Sequence, residues 1–288
     1  MTHQNAFIIG NPRSGTSMFR MMMGSHSNIV VPPECGFIQW WYDKYKNWNI
    51  DNSKSINDVK SFILDLKTSK KIETWNLNYA ELEELISTNL PKSYKDLTSQ
   101  VILQYGIQNG KSPRILGDKN NYYINHLELL NKIYPDAKYL IIVRDCRDVV
   151  CSYLNVNALS SESKYKPEFP DTIEAMALDW LKKNSEILNF LKFVDNDNYT
   201  IIKYEDLIIH PKIELQKCTK ILELNFEDEM LDYYKHRMEP DELLDWKQKT
   251  NEKIDKNNAN KYLEQLSKAE ISEIESISGT LMRKFGYL

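Results

Sequence analysis

Eight consecutive residues, Gly10-Asn11-Pro12-Arg13-Ser14-Gly15-Thr16-Ser17, place two glycines, one guanidinium and three hydroxyls in a single short loop. Its G-x-x-x-x-G spacing lies between an apolar run, Ala6-Phe7-Ile8-Ile9, and a helical pattern from Thr16 to about Gly24. A loop that joins a strand to a helix aims backbone N–H groups and the positive end of the helix dipole at one point, which is an anion site. In Mg-nucleotide hydrolases of this spacing a Lys follows the second Gly. Thr16 stands there instead and the cation has moved to Arg13, which points away from that hydrolysis. An ordinary glycine turn is the alternative, and the flanking strand and helix favour the phosphate-cradling role. A second constellation, Arg144 and Ser152, follows the apolar run Tyr139-Leu140-Ile141-Ile142-Val143. An Arg at a buried strand end and a Ser two turns into the next helix can converge on one anion at the sheet edge. Taken alone, Arg144 reads first as the partner of Asp145 or Asp148; together with the first loop the balance turns to an anion.

Two further charged residues sit where the chain should return to that edge. Glu34 follows Pro32-Pro33 and lies 21 residues after Arg13. A helix of roughly ten residues carries the chain about 15 Å away. Seven extended residues reach about 23 Å, enough to come back. The Glu34 carboxylate can then face a transferred group, or it can simply cap the next helix. Lys119 ends the run Arg114-Ile115-Leu116-Gly117-Asp118, where a surface pair with Asp118 is the alternative to a place in the site. Tyr204 and Asp206 close Tyr199-Thr200-Ile201-Ile202-Lys203, Tyr204 either near a ligand or packed under the sheet and Asp206 capping the helix through Pro211.

The elements that must position these residues are strands alternating with helices, at about 6–9, 114–117, 138–143 and 199–204, with a short extended segment at 28–33. That order argues for an α/β fold: a mainly parallel sheet with helices on both faces and ligands at the carboxyl ends of the strands. Residues of about 44 to 112 read as a helical insertion, with Val59, Phe62, Ile63 and Leu66 at helical spacing. Ser267-Lys268-Ala269-Glu270 is a capping box opening a last helix. Between about 245 and 262 the chain is Lys- and Asn-rich without periodicity, the pattern of a mobile surface loop. Four of the six tryptophans fall between 40 and 75, serving either as a flat apolar wall for a ring or as core. Residues 1–288 are expected to form one domain, the insertion and a C-terminal loop and helix of about 240–288 included.

Phe7 to Ser17 resembles the 5′-phosphosulfate-binding loop of sulfotransferases that use 3′-phosphoadenosine 5′-phosphosulfate (PAPS), and the Pro-Arg-Ser-Gly-Thr core carries the likeness. The resemblance implies a P-loop-like fold and gives Arg13, Ser14, Gly15, Thr16 and Ser17 the phosphosulfate. Arg144 and Ser152 match the family's 3′-phosphate site, and two anion sites on one sheet suit a nucleotide phosphorylated at both positions. Pro32-Pro33-Glu34 resembles the segment that supplies the catalytic base in the tyrosylprotein and bacterial branch. Leu116-Gly117-Asp118-Lys119 resembles the Gly-Asp-Lys segment whose lysine stands beside the leaving bridge oxygen, although Asn120-Asn121 replaces the usual Thr-Pro. Tyr204 falls in a segment like Arg-Tyr-Glu-Asp-Leu, near the nucleotide. Asn260-Lys261-Tyr262 stands where the family has Gly-Arg-Trp, so Lys261, or Lys256, would close over the phosphates; solvated lysines are the alternative. The implied reaction moves a sulfuryl group from PAPS to an acceptor hydroxyl, leaving adenosine 3′,5′-diphosphate (PAP). The acceptor is a phenol, a sugar or a peptide tyrosine, Glu34 is the base, and Arg13 and Lys119 stabilise charge. No metal is expected, since a singly charged sulfuryl group needs less neutralisation than a phosphoryl group.

Bulk properties narrow the alternatives. The chain has 288 residues, 42% of them hydrophobic, enough for a full core. Its net charge of −4 disfavours nucleic acid as a partner. Cys35, Cys146, Cys151 and Cys218 show no CxxC spacing and read as reduced thiols, and the histidines lack metal-ligand spacing. No apolar run approaches a membrane span and no signal peptide is evident, so a cytoplasmic enzyme is expected. A P-loop kinase using ATP and magnesium, or a nucleotide-binding module without chemistry, are the competing readings; Thr16 speaks against the first and intact Arg13, Glu34 and Lys119 against the second.

Overall fold

Side-chain alternation along the first strand sets the layers. In β1 (Gln4–Ile9) Ala6 and Ile8 pack into one buried cluster and Phe7 and Ile9 into another, on opposite faces of the sheet. The computed structural model describes residues 3–49, 56–236 and 239–288. Among them, β2 (Ile29–Val30), β3 (Ile115–Lys119), β4 (Lys138–Val143) and β5 (Tyr199–Lys203) join β1 in one sheet of order β2-β3-β1-β4-β5. Every pairing is parallel, with Phe7 opposite Asp118 on one side and Tyr139 on the other. The expected parallel α/β sheet is present, and the segment before Pro32-Pro33 contributes its edge strand.

Both faces are covered, as a parallel sheet requires. The Ala6/Ile8 face packs on Met18, Phe19 and Met22 of the helix Thr16–Gly24 and on Leu207 and Leu215 farther along the chain. The Phe7/Ile9 face packs on the insertion, through Phe62 and Leu66 of Ile56–Lys67, Leu82 and Ile86 of Tyr79–Asn89, and Leu97 and Val101 of Tyr94–Gln108. A third cluster joins Cys146–Ala158, Ile173–Leu191 and Lys268–Lys284. From β1 the chain runs to β3 and β2 on one side, while β4 lies on the other, so the crevice at the carboxyl ends of β1 and β4 is the switch point where ligands bind in such sheets.

Three local expectations meet the structure differently. The capping box forms, with Ser267 and Glu270 bonding reciprocally. Asp206 does not cap the helix through Pro211: it lies in the first turn of Tyr204–Ile209, and His210 holds the N-cap position of Pro211–Ile221 without a side-chain bond. The 245–262 stretch is anchored toward its end: the buried Asp148 carboxylate accepts the N–H groups of Asn260 (2.8 Å) and Tyr262 (3.1 Å), and Arg144 donates to the Asn258 carbonyl. Apolar periodicity cannot register these contacts, since charged groups far off in the chain make them. No helix among the described residues is long and apolar enough to cross a membrane.

Candidate active site

Close backbone approach explains the loop's glycines. A Cβ on Gly10 would stand 2.6 Å from the Ile142 carbonyl oxygen of β4. Gly15 has φ +87° and a Cβ there would stand 2.4 Å from the Tyr204 ring. Both positions therefore exclude a side chain, and Gly15 also needs the left-handed region. Gly15 is the N-cap of Thr16–Gly24 and no side chain caps that end, so the first-turn N–H groups remain available to an anion. The Ser14 hydroxyl is fully buried and has no hydrogen-bond partner among the described residues. Arg13 is itself left-handed (φ 69°), which throws its side chain toward the helix after β4, where Nε donates to Ser152 Oγ at 2.9 Å. Burial and the neighbouring Arg144 push the Arg13 guanidinium down to about 10, still charged at neutrality.

Arg144, at the end of β4, is 6% exposed. Its guanidinium donates to the carbonyls of Arg13 (3.1 Å) and Asn258 (2.9 Å) and lies 4.4 Å over the Tyr204 ring. Its Nε is buried without a partner among the described residues. Asp145 is taken by Arg147 at 2.6 Å, whereas Asp148 stands 3.7 Å from Arg144, a loose contact for an acid already holding two backbone N–H groups. Arg13, Ser152 and Arg144 thus form one cationic, hydroxyl-bearing corner with unspent donors. Tyr204 is buried under it, its hydroxyl accepting from Asn258, so it both packs below the sheet edge and faces the site.

Glu34 lies at the far side, 9% exposed. It caps no helix. Its Oε1 accepts from Lys119 Nζ at 2.9 Å and from the Asn121 N–H at 3.3 Å, and its Oε2 from Lys71 Nζ at 3.0 Å. Lys119 is therefore not a surface residue, and its ammonium pairs with Glu34 rather than with Asp118, whose carboxylate accepts from the Lys119 backbone N–H and the Tyr123 hydroxyl. Burial raises Glu34, but Lys119, Lys71 and Lys247 outweigh it and hold the carboxyl well below its usual range. Burial pushes the Lys119 ammonium down to about 8 against the pull of Glu34. Nothing in the polar insertion marked Lys71, because its contact spans 37 residues of chain.

One cavity of about 960 Å³ opens at these strand ends. Every site residue expected from the sequence lines it except Ser14 and Lys119, which are buried behind the wall. Lys261 reaches it, its amine pushed down to about 8 by burial and by Lys249, whereas Lys256 is exposed and off the wall. Of the tryptophans, Trp48 and Trp75 are core and Trp40 lines the cavity. Among the described residues no cluster of three or more acidic, His or Cys side chains could hold a metal.

A family model described as the sulfotransferase family matches residues 5–228. Protein-tyrosine sulfotransferase A of Caenorhabditis elegans is 23% identical over 226 residues, which is 78% of this chain and 51% of the relative, so the chain spans about half of that relative's length. Among solved structures, the sulfotransferase domain from the curacin biosynthetic pathway superposes with a TM-score of 0.63 at 22% identity, covering 96% of this chain and 97% of that one. A mouse sulfotransferase complexed with PAP superposes at 0.51 with 12% identity, over 98% of this chain and 86% of the other.

Proposed function

We propose a function from the premise that the chain belongs to the sulfotransferase family: it moves a sulfuryl group from PAPS to an acceptor hydroxyl. The observation that carries this is the meeting, in one cavity, of two polar groups of opposite kind. Arg13, Ser152 and Arg144 offer unspent donors at one end, and Glu34 stands between two ammoniums at the other. The orphaned Arg144 Nε and the uncapped helix end fit a nucleotide carrying a 3′-phosphate and a 5′-phosphosulfate.

In the reaction the acceptor oxygen bonds to sulfur, the bond from sulfur to the 5′-phosphate oxygen breaks, and the acceptor proton passes to Glu34. Arg144 and Ser152 hold the 3′-phosphate, while Thr16, Ser17 and the first-turn N–H groups hold the 5′ end. Arg13 bridges the two, with its backbone in the loop and its guanidinium on Ser152. Lys119 turns from Glu34 to the leaving oxygen and supplies charge there. Lys261 closes over the phosphates, and the whole chain works as one catalytic domain. The acceptor is a phenol, a sugar or a peptide tyrosine. The nematode relative's name supports tyrosine, and Trp40 and Tyr165 in the cavity wall support a ring.

Thermal unfolding with PAP, AMP, or ATP and magnesium tests the donor site. A ligand at 100 times its dissociation constant adds about 2.7 kcal/mol, and PAP is expected to raise the midpoint by several degrees, selectively. A rise only with ATP and magnesium, or with none of the three, overturns the proposal.

A further inference from the structure

Two distant parts of the chain grip the Glu34 carboxylate, and only one of them belongs to the sheet. Lys119 Nζ comes from the end of β3 and is 1% exposed. Lys71 Nζ comes from the insertion, with its side chain 15% exposed and facing the cavity. The insertion is built to deliver it. Lys71 has φ +73°, an unfavourable region for a side-chain-bearing residue, and opens the short helical turn Ile72–Trp75. Ile72 and Trp75 are each 1% exposed, and the Trp75 indole N–H donates to the Pro33 carbonyl at 2.8 Å, one residue before Glu34. The segment carrying Lys71 is thereby locked to the segment carrying Glu34, and the strained backbone is tolerated because the turn that follows is anchored through Ile72 and Trp75.

Other charged and titratable groups face this carboxylate from every packed element. Asp118 lies with Lys119 on β3, the Asn121 N–H follows it and Lys247 comes from the C-terminal segment, while Tyr122 and Glu239 act on Lys71 itself. Lys119 has a second task in the proposed reaction, at the leaving oxygen, and turning to it loosens its hold on Glu34. A buried carboxylate that loses its closest cation tends to take up a proton and ceases to be a base.

We propose that Lys71 is the positioning residue for Glu34: it keeps the carboxylate ionised and turned toward the acceptor while Lys119 serves the leaving group. The role rests on the sulfotransferase reading. It assigns the helical insertion a part in catalysis, since it holds the base from the acceptor side.

The test follows the carboxyl carbon of Glu34 by NMR in protein carrying labelled glutamate, with the resonance identified by its loss in Glu34→Gln. Titrations are made with and without saturating PAP. Lys71→Met is expected to raise the Glu34 midpoint by one pH unit or more, and by more with PAP bound than without, because PAP draws Lys119 away. Lys71→Arg is expected to restore the wild-type midpoint, and both variants should bind PAP within about threefold of wild type, which shows that they fold. An unchanged midpoint in Lys71→Met, in protein that binds PAP, overturns the role of Lys71 and leaves the donor site standing. Failure of the wild type to bind PAP overturns the sulfotransferase reading itself.

Discussion

The two ends of the cavity are built by different means. The phosphate end is shaped by local backbone, which aims the Arg13, Ser152 and Arg144 side chains: a left-handed glycine, a left-handed arginine, an uncapped helix end and an arginine just past the end of β4. Its parts lie within a few residues of β1 and β4, which pair directly. The acceptor end is made of side-chain ion pairs drawn from far along the chain. Glu34 meets Lys71 and Lys119, and Glu239 accepts from Arg20 at 2.7 Å and from Lys247 at 2.5 Å. Backbone geometry does not titrate, and these charge pairs do. The donor loop should therefore keep its shape as pH falls, while the acceptor end is where acid acts.

The comparison breaks most visibly at Glu34. Glu34→Gln is expected to lower turnover by about two to four decades, as loss of a general base does, with PAP affinity near wild type by calorimetry; near-normal turnover would remove the acceptor end from the chemistry. Glu239→Gln should destabilise by about 3–5 kcal/mol, because it removes the buried carboxylate charge that pairs with Arg20 and Lys247. Burial alone would raise the Glu239 carboxyl, yet Lys247 and Arg20 hold it at about 2. Its folded value lies below the unfolded 4.5, so its contribution is fully present above pH 4.5 and is lost as pH falls toward 2. Acid titration of stability should show that loss in the wild type and a flatter profile in Glu239→Gln; parallel profiles would deny that the acceptor end is the acid-sensitive one.

At the phosphate end the expected effects are smaller and selective. Arg144→Ala should weaken PAP by about 10- to 100-fold, the worth of hydrogen bonds to a charged group, and leave AMP nearly unchanged. Equal losses for the two nucleotides would mean that Arg144 does not read the 3′-phosphate. Gly15→Ala should cost about 1–2 kcal/mol from the left-handed backbone alone, seen as a melting point lower by a few degrees, with weaker PAP binding because the added methyl meets the Tyr204 ring. Unaltered melting would show that this loop is not constrained as described.

The same contrast separates what could be read from residues in order from what could not. The parallel sheet, its strand ends and the anion loop follow from short-range patterns: apolar runs, glycine spacing and a cation at a strand end, all contained within stretches of about a dozen residues. Local chemistry dictated them because backbone hydrogen bonding and φ/ψ limits act over a few residues. The partners of those residues obey no such rule. Lys119 looked like the neighbour of Asp118 and is paired with Glu34, 85 residues away. The 245–262 stretch looked unattached and is held by Asp148. Lys71 carried no pattern at all, being one lysine in a polar insertion, until the burial of Trp75 set it against Glu34. Sequence alone determined which residues could carry phosphate chemistry and on which elements they lie. Tertiary structure decided which charges meet, because a buried ion pair is selected by packing and desolvation across the fold, and neither leaves a trace in local spacing.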